Sequence, residues 1–119
     1  MIAHLVLFRP RPDLTADDRQ AFVAALERAF REIPTVRRAR VGVRVTHGAA
    51  YEQLAKEDLP FGAVLEFDDF AGLKTYLEHP AHQELGARFW SSAEMSLAYD
   101  YEMGDVSRMS GMLERMGSS

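Results

Sequence analysis

An α+β fold is predicted: one four-stranded antiparallel sheet with its helices on a single face. Three observations predict it. Four apolar segments read as strands and alternate with helical periodicities, in the order strand, helix, strand, strand, helix pair, strand. Prolines and capping residues stand at the joints. The 119 residues, 47% hydrophobic and 27% charged, suit one compact domain.

Ile2 to Phe8 is dense in Ile, Val, Leu and Phe and stops at Pro10 and Pro12, which marks a strand. Ile2, His4, Val6 and Phe8 share one face; Ala3, Leu5 and Leu7 share the other. Both faces are mostly apolar, so each needs a cover. Thr15 followed by Asp18 resembles a capping box, and Phe22, Leu26, Phe30 and Ile33 recur at helical spacing until Pro34. Ala39, Val41, Val43 and Val45 then alternate with Arg38, Arg40, Gly42 and Arg44, a half-exposed strand with a basic outer face that deters edge aggregation.

His47 to Pro60 is polar and reads as a loop with room for a turn of helix. Phe61 to Phe67 is a third strand, with Phe61, Ala63, Leu65 and Phe67 on one side. Asp69 suits the cap of a short helix carrying Phe70, Leu73 and Leu77 inward. Pro80 ends that helix and suits the first turn of the next, in which Leu85 and Phe89 lie four apart. Met95 to Tyr101 closes the sheet, with Met95, Leu97, Tyr99 and Tyr101 on one face. This is the split β-α-β order of ferredoxin-like domains. With all helices on one face, the second face of the first strand lacks a cover, and a second copy of the same sheet supplies it economically. A homodimer joined through sheet faces is expected. Residues 1–102 form the domain, and 103–119 are a Met-rich extension in which Val106, Met109, Leu113 and Met116 fall at helical spacing. That extension reads as a helix packed on the body or its partner, or as an adaptable lid.

The composition narrows function. A net charge of −4 argues against a general nucleic-acid binder. The charge is uneven: residues 1–44 carry nine basic and five acidic side chains, and the rest carry a net −8, which suits self-association of complementary patches. No cysteine is present, so thiolate metal sites and cysteine nucleophiles are excluded. No apolar run approaches a membrane span and no basic-then-apolar leader is visible, so a cytoplasmic protein without membrane partners is expected.

The densest polar constellation is Tyr76-x-x-His79-Pro80-x-His82. Its histidines lack the spacing that aligns metal ligands on one helix face, so no metal is expected. There is no Gly-x-Ser-x-Gly elbow, no Gly-x-Gly-x-x-Gly and no P-loop. Acid–base work suits the constellation better, because a neutral histidine removes protons near neutral pH and a buried tyrosine hydroxyl steadies a developing oxyanion. If the helix breaks at Pro80, Tyr76 and His82 face one space above the sheet, shared with His4 if its face is the covered one. The plainer alternative has His79 capping a helix and His82 bonding backbone.

Three segments carry a family resemblance: Met1-Ile2-x-His4-Leu5-Val6-Leu7-Phe8, Tyr76-Leu77-Glu78-His79-Pro80-Ala81-His82, and Tyr99-Asp100-Tyr101. Together they resemble the stress-responsive dimeric A/B barrel family over roughly residues 1–102. The resemblance implies a dimeric α+β barrel. The family's plant polyketide cyclase closes a linear polyketide without a cofactor. By that likeness His82 and Tyr76 are catalytic, and His4, Val6, Phe8, Phe22, Leu26, Ala63, Leu65, His79 and Leu85 are substrate-binding. A small apolar, aromatic or polyketide-like ligand is implied. Phe61, Leu26 and Ala93 replace a histidine, an aromatic and a tryptophan of that enzyme, so the cavity has its own shape. The leading expectation is a cofactor-independent cyclase, lyase or isomerase. The alternatives are a non-catalytic stress-responsive or ligand-binding barrel and, by fold analogy alone, monooxygenase-like activity.

Overall fold

The computed structural model describes residues 1–117. Four strands, β1 (Ile2–Pro10), β2 (Arg38–Val43), β3 (Phe61–Phe67) and β4 (Ala93–Glu102), form one antiparallel sheet in the order β2-β3-β1-β4. Helices α1 (Ala16–Glu32), α2 (Phe70–Glu78) and α3 (Pro80–Ser92) supply the second layer.

The chain starts and stops these helices by local chemistry. Thr15 Oγ1 accepts the Asp18 N–H while Asp18 accepts the Thr15 N–H, a reciprocal capping box. Asp69 Oδ1 caps α2 through the Gly72 N–H at 2.8 Å. Pro80 opens α3 at its first turn, where a missing N–H costs nothing.

The core lies between the helices and one face of the sheet. It is built from Ala25, Ala29 and Ile33 of α1 and its end, Ala63, Leu65 and Phe67 of β3, and Leu73, Tyr76, Ala81 and Leu85 of α2 and α3. Alanines at the contact let α1 sit close, so Leu26 and Phe30 pack beside the seam. In α2 the inward residues are Gly72, Leu73 and Tyr76. Phe70 and Leu77, expected inward from spacing, face out instead. The helix is turned so that its glycine and tyrosine meet the sheet.

Register assigns every strand residue to a face. His4 lies opposite Leu65 and Asp100, and Val6 opposite Ala63 and Ala98, all on the helix side. The other face carries Leu5 and Leu7 beside Val64, Leu97 and Tyr99, with no layer over it among the described residues. Val64, Leu97, Tyr99 and Tyr101 are correspondingly exposed. β2 is an edge strand, and Arg38 and Arg40 project from it on the uncovered face.

The loop between β2 and β3 holds a 3-10 turn at Ala50–Leu54. Arg9 pins it, bonding Glu94, Glu57 and the Asp58 carbonyl, while Arg44 bonds Asp58. After β4 a 3-10 turn (Val106–Arg108) leads into α4 (Met109–Gly117). Val106, Met109 and Leu113 are exposed, so these three positions do not pack on the body of their own protomer. The side chain of Met116 and residues 118–119 lie outside the described residues.

Candidate functional site

Three ring side chains pack in a row above the sheet, each tilted against the next. Tyr76 stands in the middle, 5.7 Å between ring centroids from His4 and 4.6 Å from His82, and its back rests on Phe67 at 5.2 Å. Tyr76 comes from the last turn of α2 and His82 from the first turn of α3, so the break at Pro80 folds the two together. His4 rises from β1 beneath them.

Each ring is oriented by a neighbour. His4 Nδ1 donates to Asp100 Oδ1 at 2.5 Å, across the β1–β4 ladder. His82 Nδ1 lies 3.1 Å from the Leu77 carbonyl, which only accepts, so Nδ1 carries the proton and Nε2 keeps a free lone pair. Neither remaining ring nitrogen, nor the Tyr76 hydroxyl, has a hydrogen-bond partner among the described residues. Tyr76 as a whole is 2% exposed. Yet no fully buried side-chain polar atom lacks a partner among the described residues, so this hydroxyl is not sealed from solvent.

The electrostatics give the two groups opposite capacities. Burial lowers the His82 pKa below its ordinary 6.5; the Leu77 hydrogen bond raises it in part, and nearby His4 lowers it again. Burial, with the Asp100 carboxylate, pushes the Tyr76 phenol far above its ordinary 10.0. His82 is therefore a neutral acceptor near pH 7, and Tyr76 stays a protonated donor.

An apolar pocket of about 460 Å³ opens at the other end of the covered face. Phe8, Phe22, Leu26, Val41, Val43, Phe61 and Ala63 line it almost wholly with carbon. Phe8, Phe22 and Phe89 meet edge-on or tilted at 4.8–5.6 Å and stiffen one wall.

The residues singled out in the sequence thus divide into two groups. Phe8, Phe22, Leu26 and Ala63 line the pocket. His4, Tyr76 and His82 form the ring cluster, and Leu65 and Leu85 are buried in the core around it. Val6 is half-buried between His4 and Phe8 on the same strand face. His79 is occupied as the cap of α3, its Nδ1 accepting the Ala81 N–H at 3.0 Å. Along β3 the pocket ends at Ala63 and the cluster begins at Leu65, the next residue on that face. Asp100 escaped the sequence reading. Its signal was present, since an inward place for it follows once Tyr99 and Tyr101 point outward.

Among the described residues no group of three His, Asp or Glu side chains is arranged to hold a metal ion. No described helix is long and apolar enough to cross a membrane.

The sheet order, the one-sided helices and the β-α-β-β-αα-β sequence define a ferredoxin-like α+β domain. The chain belongs to the stress-responsive A/B barrel domain family, whose sequence model matches residues 2–103. No curated protein matches the chain in sequence. Solved structures agree on the fold. An Arabidopsis thaliana protein superposes with a TM-score of 0.73 at 17% identity, covering 89% of this chain and 98% of its own. The hydroxynitrile lyase of Passiflora edulis gives 0.72 at 17% identity, covering 88% and 94%. A dimeric ferredoxin-like protein of unknown function from Jannaschia sp. gives 0.68 at 26% identity, covering 86% and 98%.

Proposed function

We propose that this protein is a homodimeric enzyme of cofactor-independent acid–base chemistry, acting on a small apolar substrate that bears a carbonyl. His82 Nε2 takes a proton from carbon beside the carbonyl, and the Tyr76 hydroxyl donates a hydrogen bond to the oxygen as it becomes negative. The enolate then attacks a second carbonyl, as in polyketide cyclisation, or expels a leaving group, as in a lyase step. The observation that carries this reading is the pair of unpartnered groups in contact: a protonated phenol and a neutral imidazole whose tautomer is set by Leu77. The apolar pocket supplies affinity for the substrate's carbon skeleton. A lyase among proteins of similar fold is consistent with such proton chemistry on this scaffold.

The dimer rests on the uncovered face. Leu5, Leu7, Val64, Leu97 and Tyr99 form an apolar surface of the kind a second sheet covers, and relatives of the same fold are described as dimeric.

A second reading is favoured by two observations: the open pocket is lined by neither Tyr76 nor His82, and the rings of His79 and His82 both bond backbone. On that reading the barrel binds an apolar ligand and the ring cluster is structural. Turnover assays on 3-ketoacyl thioesters separate the two. The enzyme reading expects turnover that His82→Ala abolishes while the dimer persists. Binding without turnover, or a His82→Ala protein that loses only thermal stability, supports the second.

A further inference from the structure

We infer that the C-terminal extension, residues 103–117, is an exchanged arm whose apolar side covers the mouth of the pocket in the partner protomer. Besides the uncovered sheet face, one copy leaves open two apolar surfaces that concern the arm. One is the tail, where Val106 is 92% exposed and Met109 and Leu113 are half exposed, at helical spacing on one side. The other is the rim of the pocket, where Val41 and Val43 are 67% and 69% exposed and Val23 is half exposed. Surfaces that complement each other, belong to the same chain and do not meet within it are what a two-fold exchange satisfies.

Four features point to a second copy as the occupant. The tail leaves the sheet at Glu102, opposite Ile2, whereas the pocket lies at Phe8 and Phe61, six residues or about 20 Å further along β1. The radius of gyration is 16.3 Å, against about 13.5 Å for a compact domain of this length, and α4 packs on the 3-10 turn before it rather than on the sheet or the other helices, so the tail stands away from the body. It is also ordered in itself: the Arg108 N–H bonds the Asp105 carbonyl at 2.9 Å, and Met112 lies over Gly104. Finally, the arm continues from β4, whose outward Leu97, Tyr99 and Tyr101 belong to the face assigned above to the dimer. The inference rests on that dimer. It also lies beyond the family domain, which ends at residue 103.

A covered mouth gives the pocket a removable wall of Met, Val and Leu, suited to apolar ligands of varied shape. The chain has no cysteine, so site-specific cross-linking tests the arm in the full-length protein. One copy carries Leu113→Cys and a co-expressed copy carries Val43→Cys, both at exposed positions that leave the core intact. A short bis-maleimide should yield covalent dimer from the mixed pair and little from either variant alone. Leu113→Asp should raise the fluorescence of bound anilinonaphthalene sulfonate several-fold, because the pocket opens while the dimer persists. Cross-linking within one chain, in a Leu113→Cys/Val43→Cys protein diluted in native copies, overturns the exchange. A sedimenting dimer without cross-link overturns the arm and leaves the sheet-face dimer and the His82 chemistry standing. A monomer overturns both arm and dimer.

Discussion

His4 and Asp100 lie 96 residues apart and face each other across the β1–β4 ladder, with Nδ1 and Oδ1 2.5 Å apart. The imidazole is 6% exposed, so its orientation depends on that one carboxylate. Asp100→Ala leaves a buried N–H without an acceptor and should cost about 1–3 kcal/mol of stability. Asp100→Asn keeps an acceptor oxygen and should recover most of it. Urea unfolding of the two variants checks the order.

Tyr76→Phe removes a hydroxyl that bonds nothing among the described residues. The ring packing on Phe67, His4 and His82 is retained. Melting should therefore shift little, while turnover should fall roughly 100-fold or more if the hydroxyl steadies the oxyanion. Equal losses in both would mark Tyr76 as a structural residue.

The pH dependence follows from burial. His82 is held below 6.5 in the folded chain, so it stays neutral, and competent as a base, at pH values where an exposed histidine is already charged. The acid limb of kcat should lie below pH 6.5. The same shift has a stability consequence. Below about pH 6.5 the unfolded chain binds the proton first, so folding stability declines as pH falls from there toward the folded pKa, and His82 contributes no such change above it. Tyr76, raised above 10.0, should add no alkaline limb below that value. Rate and unfolding profiles of native protein and Tyr76→Phe read these limbs separately.

Much of this was legible locally. Thr15 and Asp18, Asp69 and Pro80 announce helix starts because caps act within four residues. The two-sided apolar β1 announces a second layer by its composition. Tyr76 and His82 are close in sequence, so a single helix break suffices to join them. What escaped was set by distant packing. Asp100 becomes a partner of His4 only through strand register. Phe70 and Leu77 satisfy helical spacing, yet α2 turns Gly72 and Tyr76 inward because those shapes fit beside Thr35 and Phe67. The separation of pocket from ring cluster depends on where the helices sit along the sheet, which periodicity does not encode.

The uncovered face makes its own prediction. Leu97→Asp places a charge amid Leu7 and its neighbours, where a second sheet would have to bury it. The substitution should convert the dimer to monomer at micromolar concentration in sedimentation, with the helix-side core unaffected. A dimer that survives it would put the interface elsewhere.

The most direct test of the central claim is deuterium exchange at the carbon between the carbonyls of a 3-ketoacyl thioester, followed by NMR in heavy water. Native protein should accelerate exchange well above buffer, and His82→Ala and Tyr76→Phe should each return it close to the buffer rate with the dimer intact. Exchange at the buffer rate in the native protein, or unchanged acceleration in His82→Ala, would contradict the assignment of His82 as the base.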